Sequence, residues 1–192
     1  MIRAVIFDLD GTLVKTALDF AGLRRRLGFP EGVGILEHVE TLAEDERAAA
    51  RGAVRAHEME CAATATWMPG AVELLEGLRL ANLPWGIVTR NTRDAAALVL
   101  DRLVDHAYTL LAREDCAPKP DPEGALQLAE TWGVRPAEVL FVGDFIYDLQ
   151  AARAAGMPSC LYAPPFQPRP DLEGDADYVV RELLEVHKLV LG

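Results

Sequence analysis

Asp8 and Asp10 stand one residue apart, where the apolar run Ala4 to Phe7 meets Gly11 and Thr12. A short apolar run with that punctuation reads as a buried strand that stops at a turn. Side chains alternate along a strand, so the two carboxylates point the same way, toward one site. Adjacent carboxylates repel unless a cation neutralises them or one of them keeps its proton. Gly11 permits a turn conformation that other residues resist, and Thr12 adds a hydroxyl donor. Further along, Thr89 closes an apolar run, Lys119 lies between Pro118 and Pro120, and Asp144 closes another run with Asp148 four residues later. These types suit the chemistry of phosphate esters, which needs an in-line nucleophile, an acid for the leaving group and neutralisation of charge. Carboxylates can act as covalent nucleophiles toward phosphorus. A hard cation with oxygen ligands, most simply Mg²⁺, suits Asp8 and Asp144.

The elements between these residues explain how they could meet. Trp85 to Thr89, Ala107 to Leu111, Val139 to Val142, Ser159 to Tyr162 and a short Tyr178 to Val180 read as further strands. Helices alternate with them. Ala71 to Leu80 should turn Val72, Leu75 and Leu78 inward, and Asn91 or Thr92 should cap a helix through Leu103. Asp121-Pro122 reads as a capping residue followed by proline in the first helical position, with Gly133 stopping that helix near Trp132. Ile146 to Ala155 is stopped by Gly156. Such alternation implies an α/β fold with a doubly wound parallel sheet, covered on both faces. The carboxyl ends of the strands then share one rim, where open sheets bind ligands. Thr16 to Trp67 has helical periodicity and no convincing strand. Leu18, Phe20, Leu23 and Leu27 make one apolar stripe, and Ile35, Leu36, Val39 and Leu42 a second, before a long helix rich in Ala, Glu and Arg. This segment reads as a small helical insertion on hinges near Lys15–Thr16 and Trp67–Gly70. The expected division is a core of residues 1–15 and 68–192 and a helical cap of 16–67.

Asp8-Leu9-Asp10-Gly11-Thr12-Leu13 resembles the first motif of the haloacid dehalogenase-like hydrolase superfamily. Thr89, Lys119 and Asp144 with Asp148 match its second, third and fourth motifs in order, across about three quarters of the chain. The resemblance implies roles. Asp8 attacks phosphorus and forms an aspartyl-phosphate, while Asp10 protonates the leaving oxygen and then activates water. Thr89, with Arg90 and Asn91 beside it, binds the phosphoryl group, and Lys119 balances the charge of Asp8 and phosphate. Asp8, the carbonyl of Asp10 and Asp144 hold Mg²⁺, supported by Asp148. The likeness is to the phosphoglycolate-phosphatase-like branch, with two departures. The cap of about fifty residues is short, and Arg90 stands where many relatives carry a smaller or amide residue. The expected substrate is a small phosphate ester, with room for a bulkier one.

Other readings compete. A phosphomutase shares this core, and a phosphate-sensing module could keep the site without turnover. Dehalogenases in the superfamily usually lack an acid at the position of Asp10. A phosphonatase would need a cap lysine, but the three lysines are Lys15, Lys119 and Lys188. His57 and Cys61 share a helix face, yet two ligands do not make a zinc site. Arg24-Arg25-Arg26 reads as a solvated helix face rather than an anion clamp. The net charge of −11 makes nucleic acid or an anionic membrane a poor partner. No apolar run approaches the ~20 residues of a membrane span. Three scattered cysteines and a start that runs straight into a strand lead us to expect a cytoplasmic protein. The oligomeric state stays open, and a monomer is compatible with the sequence.

Overall fold

The computed structural model describes residues 1–17, 19–104 and 108–191. Its elements in chain order are β1 (Ala4–Phe7), β2 (Val14–Lys15), α1 (Phe20–Leu27), α2 (Ile35–Glu40), α3 (Glu44–Ala62) and β3 (Thr66–Trp67). There follow α4 (Ala71–Leu80), β4 (Trp85–Val88), α5 (Arg93–Leu103), β5 (Leu110–Leu111), α6 (Glu123–Trp132) and β6 (Val139–Gly143). The chain closes with α7 (Ile146–Ala155), β7 (Ser159–Tyr162), β8 (Tyr178–Val180) and α8 (Leu184–Leu191).

Six strands pair in parallel in the order β5-β4-β1-β6-β7-β8. β1 therefore lies at the centre, where the winding reverses, and a crevice opens outside the strand ends at such a point. Alternation along β1 feeds two cores. Val5 and Phe7 pack with residues of α4, α5 and α8 on one face. Ala4 and Ile6 pack with residues of α6 and α7 on the other. All four are fully buried, which explains why this strand reads as a continuous apolar run. Gly28, Gly133 and Gly156 end their helices in the left-handed conformation that glycine adopts without a Cβ penalty.

Several expectations need correction. Residues 16–67 are not free of strand, because Thr66–Trp67 pairs antiparallel with Val14–Lys15 and clasps the two hinges together. Two-residue strands carry no periodicity, so this pairing is visible only once the chain has folded back. In α4, Val72 is 49% exposed and Leu74 is fully buried. The inward stripe is Ala71, Leu74, Leu75 and Leu78, the i, i+3, i+4, i+7 set. Pro122 sits at the N-cap of α6 rather than inside it, while Asp121 still accepts the Glu123 N–H at 2.9 Å. Neither Asn91 nor Thr92 caps α5 through its side chain. Glu114, from the loop after β5, takes the Arg93 N–H at 2.9 Å instead. β5 begins at Leu110, and Ala107 and Leu18 lie outside the described residues. Within the insertion, Leu23, Ile35, Val39, Ala50 and Val54 form an apolar cluster of their own. Phe20 is not part of it and stays 51% exposed.

Candidate active site

The sheet places Asp8 just beyond β1 and Asp144 just beyond β6, on neighbouring strands. The Asp8 N–H still donates to Val142 O at 2.9 Å, so the ladder runs up to the carboxylate. Asp148 comes from the first turn of α7. Its Oδ2 accepts the Phe145 N–H at 3.0 Å and so satisfies one orphan donor of the helix it helps to start. Carboxylate oxygens of Asp8, Asp144 and Asp148 lie within 4.8 Å of one another. Two glycines make that approach possible. At Gly143 a Cβ would come 2.3 Å from the Asp148 Cβ. At Gly11, where φ is +92°, a Cβ would come 2.5 Å from Asp144 Oδ2.

The other sequence-derived residues converge on the same rim. Lys119, in the loop after β5, donates to Asp8 Oδ1 at 2.5 Å and to Asp148 Oδ1 at 2.6 Å. Thr12 donates to Asp144 Oδ1 at 3.1 Å. Thr89 Oγ1 accepts the Asn91 N–H at 3.1 Å, which leaves its own proton to give. Asn91 Nδ2 donates to Asp10 Oδ2 at 3.0 Å. Arg90 spans two elements, donating to Lys119 O at 2.8 Å and to Glu37 of α2 at 2.5 Å, with its guanidinium over the Tyr147 ring. All eight candidate residues line one cavity of about 660 Å³ that continues under α1 and α2.

The electrostatics of this cluster are one-sided. Four carboxylates, Asp8, Asp10, Asp144 and Asp148, meet one ammonium from Lys119. Burial pushes Asp8 well above the ordinary carboxylate range; Lys119 opposes that, and Asp148, Asp144 and Asp10 add to it. Burial raises Asp10 as well, held back by its hydrogen bond from Asn91. Asp144 rises to about 7, first by burial and then by the charge of Asp148. Burial works against the Lys119 ammonium, yet Asp148 and Asp8 hold its pKa above the usual value. A cluster of oxygen donors short of positive charge is what a hard cation neutralises. Among the described residues, Asp8, Asp144 and Asp148 are the one group of such ligands close enough to share an ion. His57 and Cys61 lie 3.9 Å apart with no third ligand among the described residues.

Sequence reasoning missed several residues. Gln167 donates to Asp144 Oδ2 at 2.8 Å, and Arg169 donates to Asp144 O at 2.8 Å. Both come from the proline-rich loop after β7; its signal was a stiffened loop leaving a strand on the same rim. Glu58, buried on α3, accepts from Arg113 at 2.7 Å and from Thr92 at 3.1 Å. That buried pair ties the insertion to the strand-end loops, and nothing in the local sequence announces it. Phe145 and Tyr147 also line the cavity.

A family profile of haloacid dehalogenase-like hydrolases matches residues 2–156. The chain belongs to this family. Among its relatives, N-acetylmuramic acid 6-phosphate phosphatase of Pseudomonas putida is 32% identical, over 98% of this chain and 96% of its own length. Phosphoglycolate phosphatase of Xylella fastidiosa is 34% identical, over 82% of this chain and 78% of its own length. A hydrolase from Pseudomonas syringae superposes with a TM-score of 0.80 at 25% identity, over 99% of this chain and 98% of its own. This haloacid dehalogenase-like hydrolase thus groups with the phosphatase branch. None of its described helices is long and apolar enough to cross a membrane.

Proposed function

We propose that this hydrolase is a Mg²⁺-dependent phosphomonoesterase that acts on a small phosphorylated metabolite through an aspartyl-phosphate on Asp8. The observation that carries the reading is Asp8 itself. It is a buried carboxylate at the central strand end, held by Lys119 and with Asp10 two residues away. Asp8 Oδ attacks phosphorus, and the bond from phosphorus to the ester oxygen breaks. Asp10 keeps a proton more readily than an ordinary carboxylate, because it is buried, and gives that proton to the leaving oxygen. Asp10 then takes a proton from water as that water attacks the phosphorus, which releases phosphate and restores Asp8. The Thr89 hydroxyl donates to a phosphoryl oxygen, and Asn91 orients Asp10. Lys119 offsets the charge of Asp8 and the phosphoryl group. Arg90 braces the Lys119 carbonyl and closes the phosphate end of the cavity.

The donor set fits a cation. Asp8, Asp144 and the Asp10 carbonyl would hold it, with Asp148 as support because Lys119 and the Phe145 N–H engage both its oxygens. When bound, Mg²⁺ supplies positive charge for the nucleophile and the phosphoryl oxygens. Residues 16–67 act as the cap over a core of 1–15 and 68–192, contact the leaving group and exclude water. The named substrates of the relatives, phosphoglycolate and N-acetylmuramic acid 6-phosphate, mark the class to test first.

The test is a panel of phosphate esters assayed with Mg²⁺ for release of inorganic phosphate. Release that stops on exhaustive chelation and returns with Mg²⁺ is expected. Full activity after chelation would remove the metal from the reading. Isomerised sugar phosphate without release would make the chain a mutase, and tight binding without turnover would make it a sensor.

A further inference from the structure

The long helix of the insertion breaks its own pattern at one place. Ala50, Val54, Glu58 and Cys61 of α3 are buried on one face, at i, i+4, i+8 and i+11. Apolar residues hold this stripe except at Glu58. Among the described residues of α3, Glu58 is the one buried acid, while Glu44, Asp45, Glu46 and Glu60 are exposed. A carboxylate is a poor choice for adhesion. An apolar side chain of similar size would dock the insertion as well or better, since neither member of the ion pair would then lose its water. What an acid adds at such a position is direction, because its oxygens demand donors at set places.

Those donors come from two loops at the strand ends. Arg113, after β5, donates through Nη1 to Glu58 Oε1 at 2.7 Å and through Nη2 to Oε2 at 3.1 Å. The Thr92 hydroxyl, after β4, donates to Oε2 at 3.1 Å. Arg113 also grips the backbone beside Thr92. Its Nη1 donates to Arg90 O and its N–H to Asn91 O, each at 3.3 Å. Glu58 and Arg113 together therefore hold Arg90, Asn91 and Thr92, three residues in a row. Inside that frame the Asn91 amide is fixed at both ends. The Thr92 N–H donates to Asn91 Oδ1 at 2.8 Å, and Asn91 Nδ2 donates to Asp10 Oδ2 at 3.0 Å. Asn91 and Thr92 are buried, so water offers their side chains little alternative.

We infer that Glu58 is a positioning residue for Asp10: with Arg113 it sets the loop of residues 90–92, and the loop sets Asn91, which orients the Asp10 carboxyl toward the leaving oxygen. The inference rests on the phosphomonoesterase reading for the task of Asp10. A proton donor works only within hydrogen-bond reach of the oxygen it serves, so a small displacement of Asp10 is costly. Glu58 itself touches no reacting atom in this scheme.

The experiment separates orientation from adhesion. Glu58→Met keeps an apolar stripe on α3 and so favours docking, while Glu58→Gln keeps an acceptor for Thr92. Each is compared with wild type, Asn91→Ala and the double variant Glu58→Met with Asn91→Ala. Single-turnover phosphorylation of the protein is measured at saturating Mg²⁺ with nitrophenyl phosphate and with an alkyl phosphate. Glu58→Met and Asn91→Ala should each lower the alkyl rate about ten-fold more than the nitrophenyl rate, because only the alkoxide needs the proton. Glu58→Gln should keep part of the alkyl rate, and the double variant should be no worse in that ratio than Asn91→Ala alone. Equal losses for the two esters in Glu58→Met, or ratios that multiply in the double variant, would leave Glu58 a tie between the insertion and the core and overturn the inference. A second arm needs no turnover. The sequence has two asparagines, Asn82 and Asn91, so labelling asparagine with ¹⁵N gives two side-chain amide signals. In Glu58→Met the Asn91 signal should move toward that of a free amide and exchange faster with water, with Asn82 unchanged. An Asn91 signal that stays in place would overturn the inference. If wild type hydrolyses neither ester, the phosphomonoesterase reading fails, while the amide signal still decides whether Glu58 holds Asn91 on Asp10.

Discussion

Asp144→Asn should stabilise the cation-free protein while removing its function. The perturbation deletes one charge from a buried cluster and keeps the side-chain shape. Burial and Asp148 lift the Asp144 carboxyl from 3.8 to about 7. That difference is worth ~4 kcal/mol against the ionised form. An amide has one acceptor oxygen for two donors, the Thr12 hydroxyl at 3.1 Å and Gln167 Nε2 at 2.8 Å. Losing one neutral hydrogen bond returns ~1 kcal/mol, which leaves a net gain of ~3 kcal/mol. The folded-state pKa is raised, so the folded protein binds more protons than the unfolded chain between the two values. Wild-type stability is therefore fullest below about pH 4 and declines as pH rises through about 7. The advantage of the variant should open across that window and stay level above it. The assay is urea and thermal unfolding of both proteins in excess chelator, at about pH 4 and about pH 8. A gain of ~3 kcal/mol corresponds to roughly 6–12 °C in Tm for a chain of this size. Mg²⁺ should stabilise wild type and leave the variant unmoved. A variant no more stable than wild type at about pH 8 would refute the view that this cluster is short of positive charge.

Asp8→Asn should abolish turnover with the fold intact, because an amide is a poor nucleophile toward phosphorus, and acid quenching should trap no phosphorylated protein. Wild-type turnover by a variant free of deamidation would remove Asp8 from the chemistry. Asp10→Asn should slow the first, protein-phosphorylating step more for an alkyl than for a nitrophenyl phosphate, since only the alkoxide needs the proton. Equal single-turnover losses would leave Asp10 a structural or metal-site residue. Gly11→Ala should weaken activation by Mg²⁺ at least ~10-fold, because its backbone is left-handed and the new Cβ meets the Asp144 carboxylate; an unchanged Mg²⁺ titration would count against it. Exchange of residues 16–67 for a relative's insertion should re-order kcat/KM among esters, and an unchanged order in a folded chimera would refute the cap's hold on specificity.

Local chemistry explains what the sequence determined by itself. β1, β4 and β6 are apolar runs ended by a polar residue, and glycine stops α1, α6 and α7 where only a left-handed residue continues the chain. Parallel strands put all their ends on one rim, so Asp8, Thr89, Lys119 and Asp144 could be brought together before any coordinate was known. Arg90 and Asn91 came with Thr89 as neighbours in the chain. What tertiary structure alone decided depends on contacts between distant segments. The β2–β3 clasp pairs residues about fifty positions apart. Leu74 rather than Val72 faces inward because the rotation of α4 is set by the sheet and α8 beneath it. Gln167 reaches Asp144 only when its loop has crossed the rim, and Glu58 meets Arg113 only when α3 has docked. Arg24 and Phe20 look like an ordinary solvated face and core stripe in the sequence. The packing of the insertion over the strand ends leaves the Arg24 Nε buried with no partner among the described residues, and Phe20 as an open wall of the cavity. Side-chain type and spacing specify the cluster at the strand ends, because the sheet repeats a local rule. The outer wall of the cavity arises where the insertion meets the strand-end loops, and no local rule encodes that meeting.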